Sequence, residues 1–183
     1  MTVLPLLGGP PLSFPLPLCC MVMRIMCTLA TLRFLSAGVK FNVQVTRISS
    51  KKELAKAYTI RTRVFVREQG VPKEIEMDRD DKRAIHFLAF ASGKAVGTAR
   101  VVMHRGNAKI GRMAVLKAHR GRGIGTKLLR RAIVMAKKQG AQQIYLHAQV
   151  PVIGFYETMA FQCVGPVFKE AGIPHRKMIL VQR

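Results

Sequence analysis

The sequence predicts a mixed α/β chain, with α+β character, in which helices flank a sheet of mixed strand direction; three observations carry this. Short apolar runs at 84–91, 95–104 and 108–116 are separated by tight turn signals, the pattern of an antiparallel meander. A glycine-rich turn, a helical period from 123 to 138 and another apolar run at 142–148 follow, as in a strand, helix, strand crossover. With 49% of the 183 residues hydrophobic and 22% charged, the chain has enough apolar surface for a packed core.

The beginning of the chain differs from the rest. Five of the nine prolines (Pro5, Pro10, Pro11, Pro15, Pro17) fall in the first 17 residues, and no acid precedes Glu53. A boundary near Lys40 follows: residues 1–40 read as a leader, disordered or brought in by an early start, and residues 41–183 as one domain of ordinary size. The uncharged stretch 1–23 is apolar, but its prolines interrupt the helical hydrogen bonds that a membrane span needs. Its first basic residue is Arg24, too late for the basic start of a signal peptide, and Arg and Ser are too sparse for a transit peptide. The cytoplasm is the expected compartment.

Phe41 to Thr46 reads as a strand. Ser50-Lys51-Lys52-Glu53 is a capping box that opens a helix, with Leu54, Ala57, Tyr58, Arg61, Val64 and Phe65 forming a mostly apolar stripe to about Glu68. Gly70 and Pro72 stop it, and Glu74 to Asp81 packs five of the nine acids into a polar connection. Ser92-Gly93-Lys94 and Arg105-Gly106-Asn107 turn the meander, and Gly140 ends the helix that begins near Gly123. A short helix around 153–159 and strands near 161–168 and 175–181 complete the chain.

Thirty-one Lys and Arg against nine Asp and Glu give a net charge of +22, so an anionic ligand is expected. Of four cysteines, Cys19, Cys20 and Cys27 crowd the start and Cys163 has apolar neighbours. That spacing suits neither a disulfide framework nor a zinc site, and no metal is expected. The sharpest local signal is Val115-Leu116-Lys117-Ala118-His119-Arg120-Gly121-Arg122-Gly123-Ile124-Gly125-Thr126, placed between a strand and a helix. First-turn amides of such a helix lack intrahelical acceptors, glycines let a pyrophosphate approach, and the helix dipole favours its charge. The P-loop pattern fails because Thr126 precedes Lys127, and the dinucleotide pattern fails because its last glycine is absent.

Arg120-Gly121-Arg122-Gly123-Ile124-Gly125 resembles the R/Q-x-x-G-x-G/A signature of the GNAT superfamily of N-acetyltransferases. Ile110 to Val115 is similar to that family's central strand, and Phe155-Tyr156 with Phe161 resembles its later tyrosine motif. Arg63 to Pro72, Asp78 to Asp81, His86, Gly97 to Arg100 and Pro174-His175 resemble the ElaA-like or YjcF-like branch, so the likeness covers about 41–183. The resemblance implies a GNAT-type acyl-CoA N-acyltransferase fold, a mostly antiparallel sheet with one splayed parallel strand pair. It also implies transfer of an acetyl group from acetyl-CoA to a primary amine, without metal, by direct attack in a ternary complex. On the same grounds the backbone of Met113, Ala114 and Val115 would bond the pantetheine arm. Amides from Arg120, Gly121, Arg122, Gly123, Ile124, Gly125 and Thr126 would hold the pyrophosphate.

Tyr156 is the expected catalytic acid, since a phenol near the sulfur can protonate the departing thiolate. Taken alone, a tyrosine between Phe155 and Phe161 is a core aromatic, and its position in the resemblance gives it the catalytic role. Where the motif usually carries glycine before its last phenylalanine, this chain has Ala160, which would be strained at positive φ. Glu68, Glu74, Glu76, Asp78 and the histidines are the available bases, and the sequence does not choose among them; His86 and His147 read first as packed histidines. The acids at 74–81 read as a solvated loop or as a patch that draws a cationic amine. From Lys82 to Tyr156 there are 15 Lys or Arg and no acid, which sustains a second reading as an RNA- or polyanion-binding protein. Few aromatics and no nucleic-acid module accompany it.

Overall fold

A computed structural model describes residues 42–181, so the expectation for the leader, 1–40, lies outside the described residues. Seven strands form one sheet in the order β1-β2-β3-β4-β5-β7-β6. They are β1 (Val43–Arg47), β2 (Ile85–Ala91), β3 (Lys94–His104), β4 (Asn107–Val115), β5 (Gln143–Gln149), β6 (Phe161–Glu170) and β7 (Ile173–Leu180). Every neighbouring pair is antiparallel except β4 with β5. This is the mixed sheet the residue pattern predicts, and both turns of the meander are two-residue left-handed turns. Ser92 and Gly93 have φ of 49° and 73°, and Arg105 and Gly106 have 47° and 77°, the hand that matches strand twist.

Helix α1 (Lys51–Arg61) begins at the capping box, with the Glu53 amide donating to Ser50 Oγ at 3.2 Å. The reciprocal bond is displaced by one residue: the Glu53 carboxylate accepts from the Ser49 amide at 2.9 Å. Instead of continuing as α-helix to Glu68, the chain widens to a π-helix over Thr62–Glu68 and stops at Gly70, whose φ is 71°. After the short α2 (Lys73–Glu76), a 3-10 turn at Arg79–Lys82 leads into β2. The crossover helix α3 (Ile124–Lys138) buries Ile124, Leu128, Leu129, Ala132 and Ala136 against one face of the sheet. On the other face α1 and the π-helix bury Ala57, Ile60 and Val64 against Leu88 and Ala114. The last helix, α4 (Ile153–Glu157), carries Tyr156. Among the described residues no helix is long and apolar enough to cross a membrane.

Ala160 has a φ of +62°, so the position before Phe161 does require the left-handed conformation. Phe161 is nonetheless buried, its ring centroid 6.1 Å from that of Tyr156. The strain costs an alanine about 1–2 kcal/mol, partly offset because glycine loses more freedom on folding. Ala160→Gly is therefore expected to raise stability by about 0.5–1 kcal/mol, read as a higher urea midpoint at unchanged slope.

Candidate active site

Parallel pairing of β4 with β5 runs from Asn107 opposite Gln143 to Ile110 opposite Leu146 and there it ends. Both strands continue, β4 to Val115 and β5 to Gln149, so Gly111 to Val115 have no strand partner on the β5 side. The cause lies in β4 itself. Arg112 adopts a φ of +50°, and the register with β3 shifts between Thr98 and Arg100, a bulge that bends β4 away from its neighbour. The result is a wedge-shaped slot with an open backbone edge, at the centre of a cleft of about 740 Å³. Met113, Ala114 and Val115 line it, with the Val115 carbonyl already accepting from Arg120 Nε at 2.9 Å.

The slot leads to the start of α3. Gly121 and Gly123 both have φ of +73°, which an L side chain rarely adopts, and a Cβ on either would meet nothing within 4 Å. Gly123 is the N-cap and no side chain caps the helix; its first internal backbone bond is Lys127 N–H to the Gly123 carbonyl. The earlier amides of that turn have no intrahelical acceptor and carry the positive end of the helix dipole. Arg120, Gly121, Gly123, Ile124, Gly125 and Thr126 all line the cleft, whereas Arg122 is exposed and lies off its lining. Arg120 is not a free cation: its guanidinium donates to Glu68 Oε2 at 2.6 Å, tying the π-helix to the glycine turn.

Tyr156 also lines the cleft, with its hydroxyl 3.9 Å from Met113 Sδ. The Phe155 and Phe161 rings stand edge-on to it at 5.0 and 6.1 Å. Burial pushes its phenol up to about 12, so it keeps its proton throughout the neutral range. It is thus both a packed aromatic and a donor facing the slot.

The segment 74–81 is not a solvated loop, and most of its carboxylates are unavailable to a cationic amine. Arg61, buried at the end of α1, donates to Glu76 Oε1 at 2.5 Å and to both Asp81 oxygens at 2.7 and 3.0 Å. It also donates to the Glu76 carbonyl. Arg100 binds Asp78 at 2.6 and 2.9 Å and Asp81 at 2.7 Å, and Arg112 reaches Asp78 at 2.9 Å and Glu76 at 3.1 Å. Three guanidiniums thus neutralise three carboxylates under α1. Burial would raise the Asp78 and Asp81 pKa values, but hydrogen bonds from the arginines outweigh it and hold them below the usual range. At Glu76 burial wins and the pKa is raised. His86 is buried beside this network, its Nε2 on the Asp81 carbonyl oxygen at 3.0 Å, and desolvation lowers its pKa. Sequence reasoning placed Arg61 on the inward stripe but not with its partners, which lie 15 and 20 residues away.

Comparison with known proteins decides the family. The model of the acetyltransferase (GNAT) domain matches residues 46–182. The chain belongs to the GNAT family of acetyltransferases. Among curated GNAT relatives, the uncharacterized N-acetyltransferase YjcF of Bacillus subtilis is 34% identical over 131 residues, covering 71% of this chain and 94% of its own. ElaA of Escherichia coli is 30% identical over 132 residues, covering 69% and 86%, and its crystal structure superposes with a TM-score of 0.67 over 76% of this chain and 99% of that one. An acyl-CoA N-acyltransferase from Pseudomonas aeruginosa gives a TM-score of 0.67 at 30% identity, with 76% and 99% covered. The GNAT fold with its parallel β4 and β5 pair, and with it the ElaA and YjcF likeness, is established. An acyl-CoA cosubstrate and an amine acceptor go with it. No comparison supports the polyanion reading.

The GNAT cleft is also lined by Gln149 and Glu170, which the sequence did not single out. Gln69 and Gln149 exchange two amide bonds, at 3.3 and 3.0 Å, joining the π-helix to the end of β5. Glu170 pairs with His147 at 2.6 Å. The available signal was that Glu170 is the only acid after Glu157, placed near Pro174-His175.

Proposed function

We propose that the chain transfers an acetyl group from acetyl-CoA to a primary amine by direct attack within a ternary complex. The activity is assigned to residues 41–183, read as one domain. The observation that carries this reading is the parting of β4 from β5, which exposes a strand edge running from Tyr156 to the amides at the start of α3. An extended pantetheine arm has two amides, and laying it on the open edge at Met113, Ala114 and Val115 satisfies polar groups on both sides. The pyrophosphate fits the turn Arg120 to Thr126, where Gly121 and Gly123 leave the backbone bare and α3 offers amides. This seats the thioester near Met113, where a backbone N–H stabilises the oxyanion of the tetrahedral adduct.

Tyr156 then donates to sulfur as the thiolate leaves. Its phenol, pushed up to about 12, does not lose its proton to solvent beforehand. Tyr156→Phe removes that hydroxyl while keeping the ring contacts with Phe155 and Phe161. The expected result is a fall in kcat of about 10²-fold, with little change in the KM for acetyl-CoA. Unchanged turnover under conditions where chemistry limits the rate would leave Tyr156 a packing residue.

A further inference from the structure

Tyr156 gives the slot a proton donor, but the amine must also lose a proton. On β5, Ile144, Leu146 and Ala148 are buried in the core shared with α3, so alternation turns Tyr145, His147 and Gln149 to the opposite face of the sheet. Tyr156 packs against that same core. The slot is therefore flanked by Tyr156 on one face and His147 on the other. His147 directly follows Leu146, the last residue of β5 paired with β4, and it lines the cleft where the strands part.

The Nδ1 of His147 donates to Glu170 Oε2 at 2.6 Å, and the edge of the Phe168 ring packs at 4.8 Å. A carboxylate on Nδ1 fixes the tautomer and leaves the Nε2 lone pair free. The hydrogen bond from His147 outweighs burial and pulls the Glu170 pKa down to about 2, so the carboxylate is ionised at neutral pH. Other candidate bases are committed elsewhere, lie outside the cleft or sit at another part of it: Glu68 to Arg120, Glu76 and Asp78 to arginines, His86 to the Asp81 carbonyl, Glu74 and His104 away from the lining, and His119 beside Arg120 at the turn assigned to the pyrophosphate. The nearest rival is His175, whose Nδ1 donates to the Ile173 carbonyl at 2.8 Å; Glu170 acts on it only through space, its hydrogen bond going to His147.

We propose that His147, positioned by Glu170, is the base of the transfer, a role that rests on the acyltransferase reading above. An incoming ammonium gives a proton to Nε2 of His147, which passes it to solvent. The free amine attacks the thioester carbonyl, the C–N bond forms and the C–S bond breaks. Sulfur takes its proton from Tyr156, which regains one from the N–H of the adduct, leaving one amide and one thiol. The charged and titratable groups around His147 are Lys109 from β4, Glu170 from β6, His175 and Lys177 from β7, and Tyr145 on β5 with Asp80 near it.

The test follows kcat for thiol release from acetyl-CoA with butylamine as acceptor, across about pH 6 to 9. Wild type should show one acid limb, and His147→Gln should lose that limb and fall about 10²-fold or more at neutral pH. Glu170→Gln keeps the imidazole but loses the carboxylate that fixes its tautomer, so kcat should fall about 10-fold with the limb retained; Glu170→Asp should restore kcat in part. His175→Gln should keep the limb. A limb that survives in His147→Gln, or disappears in His175→Gln, overturns the proposal. Nitrogen-15 shifts of the His147 imidazole in the full chain with acetyl-CoA read the tautomer without any acceptor: Nδ1–H with bare Nε2 is expected, and Nε2–H overturns it. If acetyl-CoA does not bind, the acyltransferase reading falls as well; if it binds and turns over while His147→Gln keeps its limb, only the present proposal falls.

Discussion

Valine at position 125 is expected to abolish acetyl-CoA binding. Gly125 lies in the first turn of α3 with ordinary helical φ, so a side chain is permitted by the backbone, unlike at Gly121 and Gly123. A Cβ there would meet the Phe155 ring at 3.4 and 3.7 Å, and both residues line the cleft. The two methyls of valine must then push Phe155 aside or occupy the space assigned to the pyrophosphate. Loss of at least about 100-fold in affinity, about 2.7 kcal/mol, is expected by calorimetry, with the helical signal and unfolding cooperativity retained. A folded Gly125→Val with wild-type affinity would require the pyrophosphate site to be withdrawn.

The largest expected loss of stability follows removal of Arg61. It is fully buried, and Arg61→Leu would leave Glu76 with Arg112 and Asp81 with Arg100 as their remaining guanidinium partners. Breaking such a buried network from one side costs about 3–5 kcal/mol, a large part of the stability of a small domain. Urea unfolding at neutral pH should show this as a lower midpoint. Asp78 and Asp81 have depressed pKa values, so their contribution to wild-type stability is present above the ordinary carboxylate range and lost as pH falls through it. The gap between wild type and Arg61→Leu should therefore narrow on acidification, because the abandoned carboxylates take up protons. A loss below about 1 kcal/mol would show that the network is not a structural keystone.

Much of the fold was legible because its signals are local. Ser92-Gly93, Arg105-Gly106, Gly70 and Gly140 each stand at the left-handed residue of a turn or helix stop, where short-range sterics decide the conformation. The glycine turn and the run Ile110 to Val115 could be aligned with a family motif for the same reason, and Ala160 could be flagged because a single backbone angle was at issue. Less legible was whatever depends on distant partners. The bulge at Arg112 is visible only once β4 is paired with β3, and Arg61 was placed on the inward stripe without the acids that justify its burial. The pair His147 with Glu170 joins residues 23 apart through β7, which sits between their strands. A histidine within an apolar strand reads as core until the strand order puts it at the fork of a slot.

The central claim is that the slot between β4 and β5 holds acetyl-CoA for transfer to an amine. It is tested most directly by incubating the full chain with acetyl-CoA and a panel of primary amines, measuring free thiol and acetylated amine together. The account predicts thiol and N-acetyl product in equal amounts for at least one amine, saturable in acetyl-CoA and reduced by about 10²-fold in Tyr156→Phe. Acetyl-CoA that fails to bind, or thiol released at the same rate with and without amine and with no N-acetyl product, would contradict it.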